Sequence, residues 1–223
     1  MPRAVIFDVD GTLVDSVDLH ARAWQDAFRD FGHEFGFAEI RGQIGKGGDQ
    51  LLPVFLSDEE LAAKGDALEK HRASILKERY LPQIKAFPQV RALFERLLAD
   101  GKRIALASSA KEEELQRYKD IAQIDDLIDT ETSSDDAEKS KPNPDIFEAA
   151  LQRLNPIDPA RALVVGDTPY DAEAAAKAGL RTVGLLCGGW HEAELRKAGC
   201  IAVFQDPADL LARYDGSPLA PLD

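Results

Sequence analysis

The chain has 223 residues, of which 44% are hydrophobic and 30% charged, as expected of an ordinary soluble globular protein with one domain, or one domain carrying an insertion. A net charge of −13 argues against nucleic acid or an anionic membrane surface as a partner, and no apolar stretch reaches membrane-spanning length. Asp8 and Asp10 interrupt the early apolar run, so no signal peptide is expected, and two isolated cysteines, Cys187 and Cys200, read as reduced thiols of a cytoplasmic protein, monomeric or weakly dimeric.

The first predicted element is a strand from Ala4 to Phe7. It runs into Asp8-Val9-Asp10-Gly11-Thr12-Leu13. A buried strand should not end in two negative charges unless something there needs them. Carboxylates this close repel each other, and a hard divalent cation removes that repulsion. The same pair can serve a two-step reaction, one as nucleophile and the other as proton donor.

Residues 16–85 contain no good strand, and their patterns are helical. Leu19, Ala23, Trp24, Ala27, Phe28 and Phe31 form one stripe, and Ser57 with Glu60 signals a capping box for a later helix. From there, aliphatic runs recur at Arg103–Ala107, Leu127–Asp129, Ala162–Val165 and Arg181–Leu186, with Ile201–Phe204 as a further candidate. Amphipathic stretches lie near Val90–Ala99, Glu112–Lys119, Pro144–Leu154 and Tyr170–Ala178. Continuous apolar runs alternating with helices predict an α/β protein: a doubly wound, Rossmann-like parallel sheet with an inserted all-helical cap. The expected division is a core of residues 1–15 and 86–215, a cap of 16–85 and a tail of 216–223, the chain fraying after Tyr214. The cap carries 10 Lys and Arg against 12 Asp and Glu, leaving −11 of the net charge on the remainder. The less repulsive part suits a lid over an anion, although composition also varies along chains without such meaning.

Three more signals join the aspartates. Ser108-Ser109 follows the run Ile104 to Ala107, where a hydroxyl and a free backbone N–H can hold a phosphoryl oxygen. Lys141 sits in Ser140-Lys141-Pro142-Asn143-Pro144-Asp145, a loop stiffened by its prolines. Gly166-Asp167-Thr168-Pro169-Tyr170-Asp171 again follows an apolar run. Ligands of doubly wound sheets sit beyond the carboxyl ends of the strands, where Asp8, Ser108 and Asp167 fall. Taken singly, Ser108 reads as a turn residue, Lys141 as a solvated charge, Asp171 as a helix cap and the aspartate pair as a structural metal site. Asp145 reads as helix-start chemistry.

In order and spread, these four motifs resemble those of the haloacid dehalogenase superfamily of phosphohydrolases, and the helical insertion resembles that family's C1 cap. The resemblance covers nearly the whole chain and implies an aspartyl-phosphate on Asp8. It makes Asp10 the proton donor to the leaving oxygen and then the base for the hydrolytic water. Mg²⁺ would be held by the Asp8 carboxylate, the Asp10 backbone carbonyl and Asp167, with Asp171 supporting. Ser108, Ser109 and Lys141 would bind the phosphoryl oxygens. Burial under the cap is expected to raise the pKa of Asp10.

Substrate choice is assigned to the cap. Arg41-Gly42-Gln43-Ile44-Gly45-Lys46-Gly47-Gly48-Asp49 offers Arg41 and Lys46 to a second anionic group, with Gly45 allowing close approach; a plain helix connector is the competing reading. It is not a Walker A loop, since no Ser or Thr follows Lys46. His20, one turn before Trp24, is placed at the cap hinge or near Asp10, or as a packing histidine. The expected activity is a Mg²⁺-dependent phosphatase for a small phosphorylated metabolite, similar to phosphoglycolate phosphatases. A β-phosphoglucomutase-like mutase is the enzymatic alternative, and a receiver-type phospho-acceptor module is the alternative of another class. A catalytically silent binding protein of the same fold, a dehalogenase and a phosphonatase are disfavoured.

Overall fold

Strand β1 (Ala4–Phe7) lies at the middle of the molecule in a computed structural model that describes residues 2–221. It is hydrogen-bonded in parallel to β4 (Arg103–Ala107) on one side and to β6 (Ala162–Gly166) on the other. With β5 (Thr130–Thr132), β7 (Arg181–Leu185) and β8 (Ala202–Phe204), the sheet has six parallel strands in the order β5-β4-β1-β6-β7-β8. The chain winds to both sides of β1, so the crevice at its carboxyl end is the topological switch point.

The apolar runs have no polar interruption because each central strand feeds two cores. Val5, Phe7, Ile104, Leu106, Leu163 and Val165 point into one cluster, with side chains of α5 (Val90–Ala99), α6 (Glu112–Ala122) and α10 (Pro207–Ala212). Ala4, Ile6, Ala105, Ala107, Ala162 and Val164 point into the opposite one, with α7 (Asp145–Arg153) and α8 (Pro169–Lys177). Alternate residues of a strand face opposite sides, so a strand buried on both faces must be apolar throughout. A short helix α9 (Glu192–Lys197) covers the β7–β8 connection.

Between β1 and β4 the chain leaves the sheet. It passes β2 (Val14–Asp15), then α1 (Val17–Asp30), α2 (Phe37–Arg41), α3 (Gly48–Phe55) and α4 (Asp58–Ile75), and returns through β3 (Lys85–Ala86). Strands β2 and β3 pair antiparallel, so the two connections of the insertion run side by side. The insertion has its own apolar cluster, drawn wholly from residues 17–76 and centred on Trp24, Phe28, Leu51 and Leu68. The expected stripe on α1 is present at Ala23, Trp24, Ala27 and Phe28, whereas Leu19 turns to the sheet's core and Phe31 is only partly buried. Helix α1 therefore belongs to both bodies at its first turn.

Two expectations are corrected. The strand expected at Leu127–Asp129 begins later, at Thr130, because Asp125–Leu127 form a 3₁₀ turn. The tail expected to fray after Tyr214 is docked: Leu219 is fully buried, Ala220 nearly so, and both join Tyr214 in the main core. The Tyr214 hydroxyl donates to Asp100 Oδ2 at 2.8 Å, which holds the turn against α5. Leu222 and Asp223, also assigned to that tail, lie outside the described residues. Leu219→Ala should cost about 2–4 kcal/mol in urea unfolding; an unchanged midpoint would mean that this segment is not packed in solution.

Candidate active site

The turn after β1 assembles the first half of the site. Asp8 N donates to Val165 O at 2.9 Å, so Asp8 is the last residue tied into the sheet. Gly11 then reverses the chain at φ +79°, and a Cβ there would stand 2.4 Å from Asp167 Oδ2. Only glycine meets both the left-handed backbone and that close approach. Thr12 Oγ1 donates to Asp167 Oδ1 at 2.9 Å, which locks this turn to the loop after β6.

Lys141 reaches the same point from the loop before α7. It is 1% exposed, and its Nζ lies 2.5 Å from Asp8 Oδ1, 2.9 Å from Asp171 Oδ1 and 3.1 Å from Ala107 O. Burial alone would lower its pKa, but the charges of Asp171 and Asp8 outweigh that and hold the ammonium protonated. Asp171 also closes a capping box on α8, its Oδ2 accepting from Thr168 N at 3.0 Å and Thr168 Oγ1 at 2.7 Å. Asp171 thus caps α8, as one reading of the sequence has it, while its other oxygen faces Lys141 beside Asp8.

Asp8, Asp167 and Asp171 bring carboxylate oxygens within 4.8 Å of one another, all buried. One lysine does not balance three carboxylates. Burial, opposed by Lys141 and reinforced by Asp171 and Asp10, pushes Asp8 up to about 7. Burial and the charges of Asp8 and Asp171 push Asp167 well above the ordinary carboxylate range. Asp167 Oδ2 is buried without a hydrogen-bond partner. Hard anionic oxygens in excess, one of them unsatisfied, are the donor set that suits Mg²⁺.

Asp10 differs. Burial pushes its pKa up, but the His20 charge and the hydrogen bonds from His20 and Ser16 outweigh it, so the carboxyl stays below its ordinary range. Ser16 Oγ donates to Asp10 Oδ1 at 2.6 Å, and His20 Nε2 lies 2.9 Å from the same oxygen. The expected upward shift is thus reversed, because the first turn of α1 places a histidine on this carboxylate. His20 Nε2 is also 2.9 Å from the Tyr118 hydroxyl, which donates to Glu114 Oε1 at 2.8 Å. Tyr118 and Glu114 were not anticipated; they lie on α6, 98 positions from His20 in the case of Tyr118, and nothing local marks them.

Above Asp8 and Asp10 opens a cavity of about 580 Å³, lined from the insertion by His20, Gly45 and Lys46 and from the sheet side by Ser109 and Glu114. Ser108 lies just beyond β4, fully buried, its Oγ accepting from Ala110 N at 3.0 Å. Lys46 donates to Gln43 Oε1 at 2.6 Å and sits over the Tyr170 ring. Arg41, expected at the substrate, does not line the cavity. Its guanidinium is committed to Asp18 Oδ1 at 2.6 Å and Gly188 O at 3.0 Å, and so ties the insertion to the loop after β7. Tyr170 OH to Gly42 O and Ser140 N to Asp49 Oδ2 are further ties of this kind. Asp145 accepts from Lys139 N at the start of α7, consistent with helix-start chemistry.

Comparison with known proteins agrees with this architecture. The family described as haloacid dehalogenase-like hydrolase matches residues 5–185. A phosphoglycolate phosphatase of Cereibacter sphaeroides is 32% identical over 221 residues, covering 94% of this chain and 97% of its own. One of Aquifex aeolicus is 30% identical over 214 residues, covering 96% and 97%. The crystal structure of a hydrolase from Pseudomonas syringae superimposes with a TM-score of 0.87 at 31% identity, over 96% of this chain and 98% of that one. With the carboxylate cluster, the buried lysine and the helical insertion all in place, the chain belongs to the haloacid dehalogenase-like hydrolase family.

Proposed function

We propose that this protein is a Mg²⁺-dependent phosphatase of small phosphomonoesters, similar to phosphoglycolate phosphatases, acting in the cytoplasm through an aspartyl-phosphate on Asp8. The observation that carries this reading is Asp8 itself: a carboxylate at the sheet's switch point, held 2.5 Å from a buried ammonium, with Asp10 beside it at the cavity. In this reading residues 16–85 act as a cap over the core of 1–15 and 86–215.

An Asp8 oxygen attacks phosphorus and the bond to the ester oxygen breaks. Asp10 gives its proton to that oxygen and the alcohol departs. Water then attacks the phosphorus of the acyl phosphate, Asp10 takes its proton, and phosphate leaves with Asp8 restored. Lys141 and the Ser108 hydroxyl neutralise and orient the phosphoryl oxygens, and the Ser109 backbone adds a donor. Asp8, Asp167 and the Asp10 carbonyl, with Asp171 in support, would hold Mg²⁺, which would supply the positive charge that lets a carboxylate approach a phosphate dianion. Because Asp10 is held low in the free protein, its acid form belongs to the substrate complex, where an arriving dianion raises its proton affinity.

Phosphate release from a panel of phosphorylated metabolites, with Mg²⁺ and with EDTA, tests the reading. Repeated turnover on phosphoglycolate that EDTA abolishes is the expected result. Stoichiometric phosphorylation without release would indicate a phospho-acceptor module, and interconversion of sugar phosphates would indicate a mutase.

The electrostatics also predict how Mg²⁺ affinity varies with pH. Asp8 rises from 3.8 to about 7 on folding, so below pH 7 the metal-free site increasingly holds a proton that the ion must displace. Affinity should therefore weaken as pH falls from 8 to 6, by up to about tenfold per unit for each proton displaced. Calorimetric titration at several pH values measures this, and a flat profile would remove Asp8 from the ligand set.

A further inference from the structure

The cavity is far larger than a phosphoryl group requires, and its upper wall comes from the insertion. Arg72, near the end of α4, is on that wall. Its guanidinium carbon lies 4.8 Å from the centre of the Trp24 ring, and both side chains line the cavity. Arg72 Nε is buried and has no hydrogen-bond partner. Of the other arginines of the insertion, Arg29 and Arg79 pair with Asp26 and Arg41 with Asp18, while Arg22 is exposed over the Phe37 ring and does not line the cavity. Among the described residues no carboxylate forms an ion pair with Arg72. Lys46 is held by Gln43, and the cavity's Lys70 and Lys111 are exposed to solvent. Arg72 is thus a cation stacked on an aromatic face, partly desolvated, and without an ion-pair partner in the cavity that Asp8 and Asp10 also line.

Burying a charged group is costly unless something pairs with it. We infer that Arg72 is a specificity residue that binds a carboxylate of the substrate, so the preferred substrate is a small phosphomonoester carrying a carboxylate a few atoms from its phosphate. A guanidinium presents a planar fork that a carboxylate matches with two parallel hydrogen bonds, and stacking on Trp24 fixes the plane of that fork in advance. Asp66, Glu69 and Glu138 also line the cavity. Their charge disfavours a polyphosphate or a bisphosphate. A neutral polyol would leave Arg72 uncompensated.

This inference rests on the phosphatase reading, and substrate pairs separate the two. The parent, Arg72→Met and Arg72→Lys are assayed on 2-phosphoglycolate, on ethyl phosphate (the same carbon chain without the carboxylate) and on p-nitrophenyl phosphate. Methionine keeps an apolar stem against Trp24, and circular dichroism checks that each variant is folded. The expected result for Arg72→Met is a fall in kcat/KM on 2-phosphoglycolate of about 10- to 100-fold, carried mainly by KM. On the two esters lacking a carboxylate the change should stay within about threefold, and Arg72→Lys should fall between, having charge without the fork. An equal loss on all three esters, or no loss on 2-phosphoglycolate, overturns the assignment and leaves the phosphatase reading intact. A parent that releases phosphate from none of them overturns both.

Discussion

Replacing Asp8 with asparagine is expected to lower phosphate release by about 10⁴-fold or more while the fold persists. The amide keeps the shape of the side chain but cannot form an acyl phosphate that water later cleaves. Folding should not suffer, for an electrostatic reason. The folded protein holds Asp8 at about 7, above its ordinary 3.8, because burial makes the ionised form unfavourable. A carboxyl raised on folding contributes stability below about pH 3.8 that is lost as pH rises through 7, so at pH 8 the ionised Asp8 is a burden on the metal-free fold. Asparagine carries no such burden. Lys141 retains Asp171 at 2.9 Å and Ala107 O at 3.1 Å, so the ammonium is not orphaned. Without metal the variant should therefore melt at or above the parent's midpoint at pH 8, with the difference shrinking as pH drops below 7. Melting curves at pH 8 and pH 6, beside a phosphate-release assay, check both halves. Near-normal turnover in the variant would contradict the nucleophile assignment, and a lower midpoint at pH 8 would contradict the electrostatic account.

What the sequence revealed and what it hid follow from distance along the chain. Asp8 and Asp10 stand out because two charges end an apolar strand, and Asp167 and Asp171 stand out for the same reason after β6. The central strands were legible because each feeds two cores and so reads as an unbroken apolar run. Strand β5 was misplaced because it is an edge: Thr130, Glu131 and Thr132 pair only with β4, and the more apolar Leu127 and Ile128 beside them pack on the core without joining the ladder. Strands β2 and β3, two residues each, are too short to carry a pattern. In the site, Glu114 and Tyr118 were invisible because they reach His20 only where α1 packs beside α6, and Arg72 was invisible because it reaches the cavity only when α4 folds against Trp24. Arg41 was misassigned to the substrate for the converse reason. A glycine-rich loop with a cation suggests a ligand, and nothing local shows that Asp18 and Gly188 O already occupy that cation.

Lys141→Met separates the charge balance of the site from its chemistry. The lysine lies between Asp8 and Asp171, so removing it leaves two buried carboxylates facing each other and a third, Asp167, close by. Breaking a buried ion pair by deleting one partner costs about 3–5 kcal/mol. The metal-free variant should therefore be less stable than the parent by about that much at pH 8. The deficit should narrow toward pH 6, where a proton on the cluster replaces the lost cation. A divalent cation can do the same, and the lysine no longer opposes it. Two unit charges 4 Å apart interact by about 4 kcal/mol at an effective dielectric of 20, so deleting the ammonium should tighten Mg²⁺ binding by tenfold or more. Binding that occurs only to the folded state adds stability as RT ln(1 + [Mg²⁺]/Kd), so millimolar Mg²⁺ should raise the melting midpoint of the variant more than that of the parent. Turnover should still fall by about 10³-fold, because the phosphoryl oxygens lose a fixed donor that Mg²⁺ does not replace. A variant that Mg²⁺ stabilises no more than the parent would show that the three carboxylates do not share one cation site, and the metal assignment would fail with it.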